Sequence, residues 1–147
     1  VDSSIARVGE SVIDFLPRFN DRILSLFPSA REAELSLTKS QVRALMLIRK
    51  ASGQTATELG ESLCMTKANM TGILDELESR SLAERAADPG DRRKLRIRLT
   101  SAGRKAADSI ARELDRRLEE RFAPLPRKDR LAFADHLASL SELLDKL

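Results

Sequence analysis

Arg92, Arg93 and Lys94 stand in a row directly after Asp88-Pro89-Gly90-Asp91. Those four residues have turn chemistry. Proline presets φ, glycine allows positive φ, and an aspartate side chain bonds nearby backbone N–H groups. Leu95, Ile97 and Leu99 then alternate with Arg96 and Arg98, the period of a half-buried strand. With the short extended run Leu82–Ala86 before the turn, the segment predicts a two-stranded hairpin carrying three cations on its tip. Such a tip suits the minor groove of A·T-rich DNA, which is narrow, strongly negative and receptive to arginine. Asp91, two residues before Arg93, is expected to orient that guanidinium, with Arg92 and Lys94 against phosphates. Leu95, Ile97 and Leu99 are expected to anchor the hairpin. The bland alternative is a solvated charged hairpin.

The distribution of charge favours the first reading. The chain of 147 residues carries a net +3. Arg80–Arg104 alone holds eight bases against three acids, a net +5, so the remainder sums to −2. Positive charge gathered in one place is the footprint of a surface that meets a polyanion.

A second group lies upstream. Thr66 is an N-cap candidate, and the helix it opens buries Met70, Ile73, Leu74 and Leu77. The first turn then offers Lys67, Ala68, Asn69 and Thr71 on the other side. Asn69 suits paired hydrogen bonds to adenine, Thr71 a hydrogen bond or a methyl contact, and Lys67 a phosphate or guanine. Gly72 allows close backbone approach, although it costs roughly 1 kcal/mol of helix stability relative to alanine. Singly, each residue reads as an ordinary polar helix face. The combination with the hairpin is what points to DNA.

The remaining elements must position these two groups. Ile5, Val8, Val12, Phe15, Leu16, Phe19, Ile23 and Leu26 recur at steps of three and four, an amphipathic helix that Pro17 is expected to kink or divide. Pro28 to Leu37 reads as a loop. Capping boxes follow at Thr38…Gln41 and Thr55…Glu58, the first helix ending at Gly53 and the second near Leu63, with Cys64 and Met65 in the turn before Thr66. Thr100 caps a helix from Ser101 to about Phe122, which Pro124 and Pro126 stop. A last helix spans about Lys128 to Lys146, with Leu131, Leu137, Leu140 and Leu144 along it.

Three helices joined by short turns and followed by a charged hairpin is the order of a winged helix-turn-helix, whose second helix enters the major groove. The fold class is therefore mainly α (α+β), with a two-stranded wing. The first and last helices carry apolar stripes too long for one small lobe to cover.

The stretch Asp75–Arg104, "DELESRSLAERAADPGDRRKLRIRLTSAGR", resembles the MarR-type transcriptional regulators. The matching pieces are Leu77-Glu78, Leu82…Arg85, Asp88-Pro89, Asp91-x-Arg93 and Leu99-Thr100…Gly103. Ser81 stands where that family commonly has glycine, and Gly72 where a larger, often basic, residue is common. The resemblance implies a single domain over 1–147, with a DNA-binding lobe at 38–100 and N- and C-terminal dimerisation helices within 1–37 and 101–147. It implies a homodimer on a pseudo-palindromic operator, a repressor released by a small anionic or phenolic effector. That effector is expected where the opening helix, the Thr38–Ala51 helix and the Ser101–Phe122 helix meet.

Other classes fare worse. The one histidine, His136, lies some seventy residues from the one cysteine, Cys64, so a Cys/His nucleophile pair has no support. No glycine-rich phosphate loop, metal-ligand cluster or cofactor motif is present, and an enzyme is not expected. No apolar run is long enough for a membrane span and no signal-peptide pattern opens the chain, so a cytoplasmic setting fits. Flanked by Leu63 and Met65, Cys64 reads as an inert packed thiol, with a redox-responsive regulator as the alternative. His136 reads as a surface or interface residue. A winged helix used only for protein contacts is the other alternative, but it has no reason to place Asp91-x-Arg93 on its tip.

Overall fold

The computed structural model describes residues 2–27 and 36–147. Residues up to Leu114 form one compact unit and Asp115–Leu147 a second. The element order is α1 (Ser3–Arg22), a 3-10 turn (Leu24–Leu26), α2 (Lys39–Lys50), α3 (Ala56–Ser62), α4 (Lys67–Ser79), β1 (Ala83–Ala87), β2 (Leu95–Leu99), α5 (Ser101–Phe122) and α6 (Arg127–Leu144). This is the expected mainly helical winged helix-turn-helix. The expected loop from Pro28 lies outside the described residues as far as residue 35.

Helix starts are set by side chains that satisfy otherwise orphaned N–H groups. Both predicted boxes form in full: Thr38 with Gln41 opens α2, and Thr55 with Glu58 opens α3. At α4 the Thr66 hydroxyl accepts from the Asn69 N–H at 3.3 Å. The core that carries α2–α4 and the wing is made of Leu37, Leu45, Ile48, Leu59, Met70, Leu74, Leu77 and Ile97, all fully buried. Met46, Leu63 and Ile73 are half-buried against it. Gly53 sits beyond the end of α2 at φ +88, and its N–H donates to the Ile97 carbonyl at 3.0 Å.

Pro17 does not divide α1, which runs unbroken from Ser3 to Arg22. Proline removes one N–H from the ladder, and the bonds on either side are enough to carry the helix past it. α1 buries none of its side chains within the chain; Ile5, Val8, Val12, Ile13, Phe15 and Leu16 are exposed. In the second unit Phe122 meets Phe133 edge-on, ring centroids 5.0 Å apart. Leu131, Leu140, Leu143 and Leu144 of α6 are exposed.

The end of α4 places Ser81, which stands where the family commonly has glycine, in the position that favours glycine. The Leu82 N–H donates to the Leu77 carbonyl and the Ser81 N–H to the Glu78 carbonyl, each at 2.8 Å. That pattern closes a helix through a left-handed residue, and Ser81 occupies it at φ +56. A side chain there costs about 1 kcal/mol. Ser81→Gly keeps the carbonyl that accepts from the Thr100 hydroxyl. It is expected to raise stability by about that amount, seen as a higher urea midpoint with unchanged slope.

Candidate nucleic-acid interface

α4 presents the first group as the sequence predicts. Met70, Leu74 and Leu77 face the core, while Lys67, Ala68, Asn69, Thr71 and Gly72 are exposed. Thr66 is exposed as well and serves as N-cap. The Thr71 hydroxyl donates to the Lys67 carbonyl at 2.9 Å, which commits its proton and leaves its methyl and lone pairs outward. At Gly72 a methyl group would meet nothing within 4 Å, so the protein's own packing does not require a glycine there. An open groove of about 440 Å³ runs between the first turn of α2 and this face, lined by Ser40, Gln41, Met65, Ala68, Asn69, Gly72, Ile73 and Glu76.

The wing is an antiparallel pair with Ala83 opposite Leu99 and Ala87 opposite Leu95. Ile97 and Leu99 anchor it in the core, but Leu95 does not: it is 50% exposed. Leu95 belongs to the last ladder pair before the tip, and there the hairpin has already left the core. The tip is shaped by two aspartates. Asp88 Oδ1 accepts from the N–H groups of Gly90 at 2.7 Å and Asp91 at 3.1 Å. Asp91 Oδ1 accepts from the Arg93 backbone N–H at 3.1 Å. The expected contact from Asp91 to the Arg93 guanidinium is therefore replaced by a backbone turn. Asp91 fixes where the Arg93 side chain starts and leaves its charge outward. Arg92, Arg93 and Lys94 are exposed and, among the described residues, form no ion pair.

Besides Arg80, which lies 3.8 Å from Glu76, two arginines counted as part of the basic cluster have other partners. Arg85 of β1 pairs with Glu78 and, at 2.8 Å, with Asp75, and its N–H donates to Glu78 Oε1 at 2.9 Å. This ties the first wing strand to α4. Arg96 of β2 pairs with Asp88 through Nε, donates from Nη1 to the Gly53 carbonyl at 3.0 Å and lies 3.7 Å from Glu58. The Arg96 hydrogen bond, then the Gly90 N–H, hold the Asp88 carboxyl below the usual carboxylate range. Both roles were missed in the sequence, where only the period of the strand was readable.

The sequence profile of the MarR family matches residues 37–95. The transcriptional regulator FarR of Neisseria gonorrhoeae is 30% identical over 114 residues, covering 78% of each chain. The chain belongs to the MarR family. Among solved structures, the transcriptional repressor CouR bound to a 23-mer DNA duplex superposes with TM-score 0.67 at 28% identity, covering 89% of this chain and 95% of CouR. Bordetella bronchiseptica BpsR, described for regulation of its DNA binding by 6-hydroxynicotinic acid, superposes at 0.70 with 23% identity, covering 88% and 98%.

As a MarR-family member the protein is a DNA-binding transcriptional regulator and not an enzyme. Among the described residues no group of metal-binding side chains occurs, and no helix is long and apolar enough to cross a membrane. The expectation of a packed thiol is overturned. Cys64 is exposed, in a left-handed turn at φ +53 between α3 and α4, because the turn that joins these helices points its side chain away from the core. His136 is exposed on α6. Among the described residues a cavity also opens beside the end of α1. It has about 350 Å³ and is lined by Asn20, Leu24, Phe27, Lys39, Ser40, Val42 and Arg43, from the end of α1, the 3-10 turn and α2. No residue of α5 lines it.

Proposed function

We propose that the protein is a homodimeric, cytoplasmic repressor that reads a pseudo-palindromic operator. The first turn of α4 lies in the major groove and supplies Thr66, Lys67, Ala68, Asn69, Thr71 and Gly72. The wing tip, Asp91, Arg92, Arg93 and Lys94, enters the flanking minor groove. The observation that carries this reading is the tip itself: three adjacent cations with no ion-pair partner among the described residues, on a turn whose backbone two aspartates hold. An ordinary solvated face needs no such frame, whereas a probe for a narrow negative channel does.

The 38–100 segment is the DNA-binding lobe, and the helices within 1–37 and 101–147 form the dimer layer. Support comes from the large apolar residues that α1 and α6 leave exposed. A two-fold pair presents two copies of α4 about one turn of DNA apart (~34 Å). The 350 Å³ cavity suits the effector class expected from the family. Leu24, Phe27 and Val42 supply apolar wall, while Lys39 and Arg43 supply cations for a small carboxylate or phenolate. Release needs a preference of about 1.4 kcal/mol between the bound and free dimer forms for each tenfold loss of DNA affinity.

Selection of duplexes from a random-sequence pool tests the reading. The recovered sequences are expected to share a pseudo-palindrome whose half-sites are one helical turn apart, with A·T-rich flanks. Enrichment of a lone half-site would contradict the dimer, and no enrichment would contradict sequence reading by α4.

A further inference from the structure

Arg96 sits on the face of β2 opposite the buried Ile97, and its side chain reaches three elements. Nε holds Asp88, the residue that opens the wing-tip turn. Nη1 holds the carbonyl of Gly53 in the turn after α2, at 3.0 Å. The same nitrogen lies 3.7 Å from Glu58, the residue that closes the capping box of α3. Asp88 lies eight positions away across the hairpin, whereas Gly53 lies 43 positions away.

Among the described residues, the backbone joins the wing to that turn at Ile97 alone. The Ile97 N–H donates to the Gln54 carbonyl at 2.8 Å, and the Ile97 carbonyl accepts from the Gly53 N–H at 3.0 Å. These two bonds, the Arg85 tie to α4 and the buried Ile97 and Leu99 hold the base of the wing, but none of them reaches past the Arg85–Ile97 pair toward the tip. From Ile97 to Arg93 the chain reaches at most about 13 Å, so a tilt of roughly 10° moves the tip by up to about 2 Å. A displacement of that size is enough to misplace a guanidinium in a narrow groove. Arg96 adds a tie on the tip side of that pair. Its planar, forked donors let one side chain hold a carboxylate and a carbonyl together, which a lysine ammonium on a flexible stem does less well.

We propose that Arg96 is a positioning residue that fixes the wing tip relative to the helix-turn-helix, so that Arg93 and α4 engage DNA in one register. The proposal rests on the wing reading above. In it Arg96 makes no DNA contact; it acts through Arg93.

A double-mutant cycle measures this, using a duplex that the protein itself selects from a random pool. Arg96→Met is expected to weaken binding about tenfold in the otherwise unchanged protein and less than twofold when Arg93 is already alanine. Arg96→Lys keeps the charge and is expected to stay within twofold of Arg96→Met. Asp88→Asn keeps the Oδ1 acceptor for Gly90 and Asp91 but loses the ion pair. It repeats the cycle with a change that leaves the strand intact, should Arg96→Met perturb the fold. Additive losses in both cycles would overturn the proposal and make Arg96 a direct contact or a general structural residue. Full binding by Arg96→Lys would show that its charge, not its geometry, matters, and would overturn the proposal too. If Arg93→Ala itself has no effect, the wing reading falls and the positioning role with it; a loss for Arg93→Ala with none for Arg96→Met or Asp88→Asn removes the positioning role alone.

Discussion

Gly103→Ala is expected to destabilise the protein by about 3 kcal/mol or more, beyond the usual range for an overpacked site. Gly103 lies in the first turn of α5, where a β-carbon would stand 1.7 Å from the Leu82 carbonyl oxygen and 2.7 Å from its carbon. Those are backbone atoms and have no rotamer to escape into. They are also pinned, because the Leu82 carbonyl accepts from the Thr100 N–H at 3.2 Å and the Leu82 N–H closes the end of α4. Thr100 holds the same junction from the other side, accepting from the Gly103 N–H at 2.9 Å and donating to the Ser81 carbonyl at 2.6 Å. One methyl group therefore opens the joint between the helix-turn-helix, the first wing strand and α5. At fixed protein concentration, thermal denaturation should show a midpoint lowered by roughly 6–12 °C. Gly72→Ala is the control, since its methyl group meets nothing and it fills an exposed helix position. A Gly103→Ala midpoint within two degrees of the parent would show that the joint yields.

Arg93→Ala is expected to weaken operator binding by about 1–3 kcal/mol, roughly 5- to 150-fold, with the fold unchanged. The side chain has no ion-pair partner in the protein among the described residues, so its loss removes nothing from the folded state. Its backbone N–H still donates to Asp91, and the tip keeps its turn. Fluorescence anisotropy on a selected duplex measures the loss, and a melting curve checks the fold. Affinity within twofold of the parent would take the wing out of the mechanism.

How much of this could be read from the residues depends on how far each signal reaches along the chain. The helix starts were legible because a capping residue and its target lie three positions apart, as at Thr38 and Thr55. The hairpin was legible from alternation at Leu95, Ile97 and Leu99 and from turn chemistry at Asp88 to Asp91. Leu95 misled because alternation reports a face and not how far the core extends along it. The division expected as one outcome at Pro17 did not follow, because a local penalty says nothing about the bonds on either side of it. The Asp91–Arg93 spacing was read correctly as a coupling but assigned to the wrong atoms. Asp91 bonds the backbone N–H two residues on, the commoner habit of aspartate in turns. Arg96 and Arg85 could not be read at all as ties. Arg96 meets Gly53 across 43 positions, and only the folded chain brings them together. The exposure of Cys64 was hidden for a related reason: apolar neighbours in sequence do not enclose a side chain that leaves a left-handed turn.

On the proposed reading, cations at the wing tips of a two-fold pair bind the phosphate-walled grooves of duplex DNA. Titrating salt against affinity for a selected duplex tests it most directly. Arg92, Arg93 and Lys94 from two protomers predict that log K falls linearly with log salt with a slope of about −5 or steeper. A slope near zero, or no binding to any duplex in dilute buffer, would contradict it.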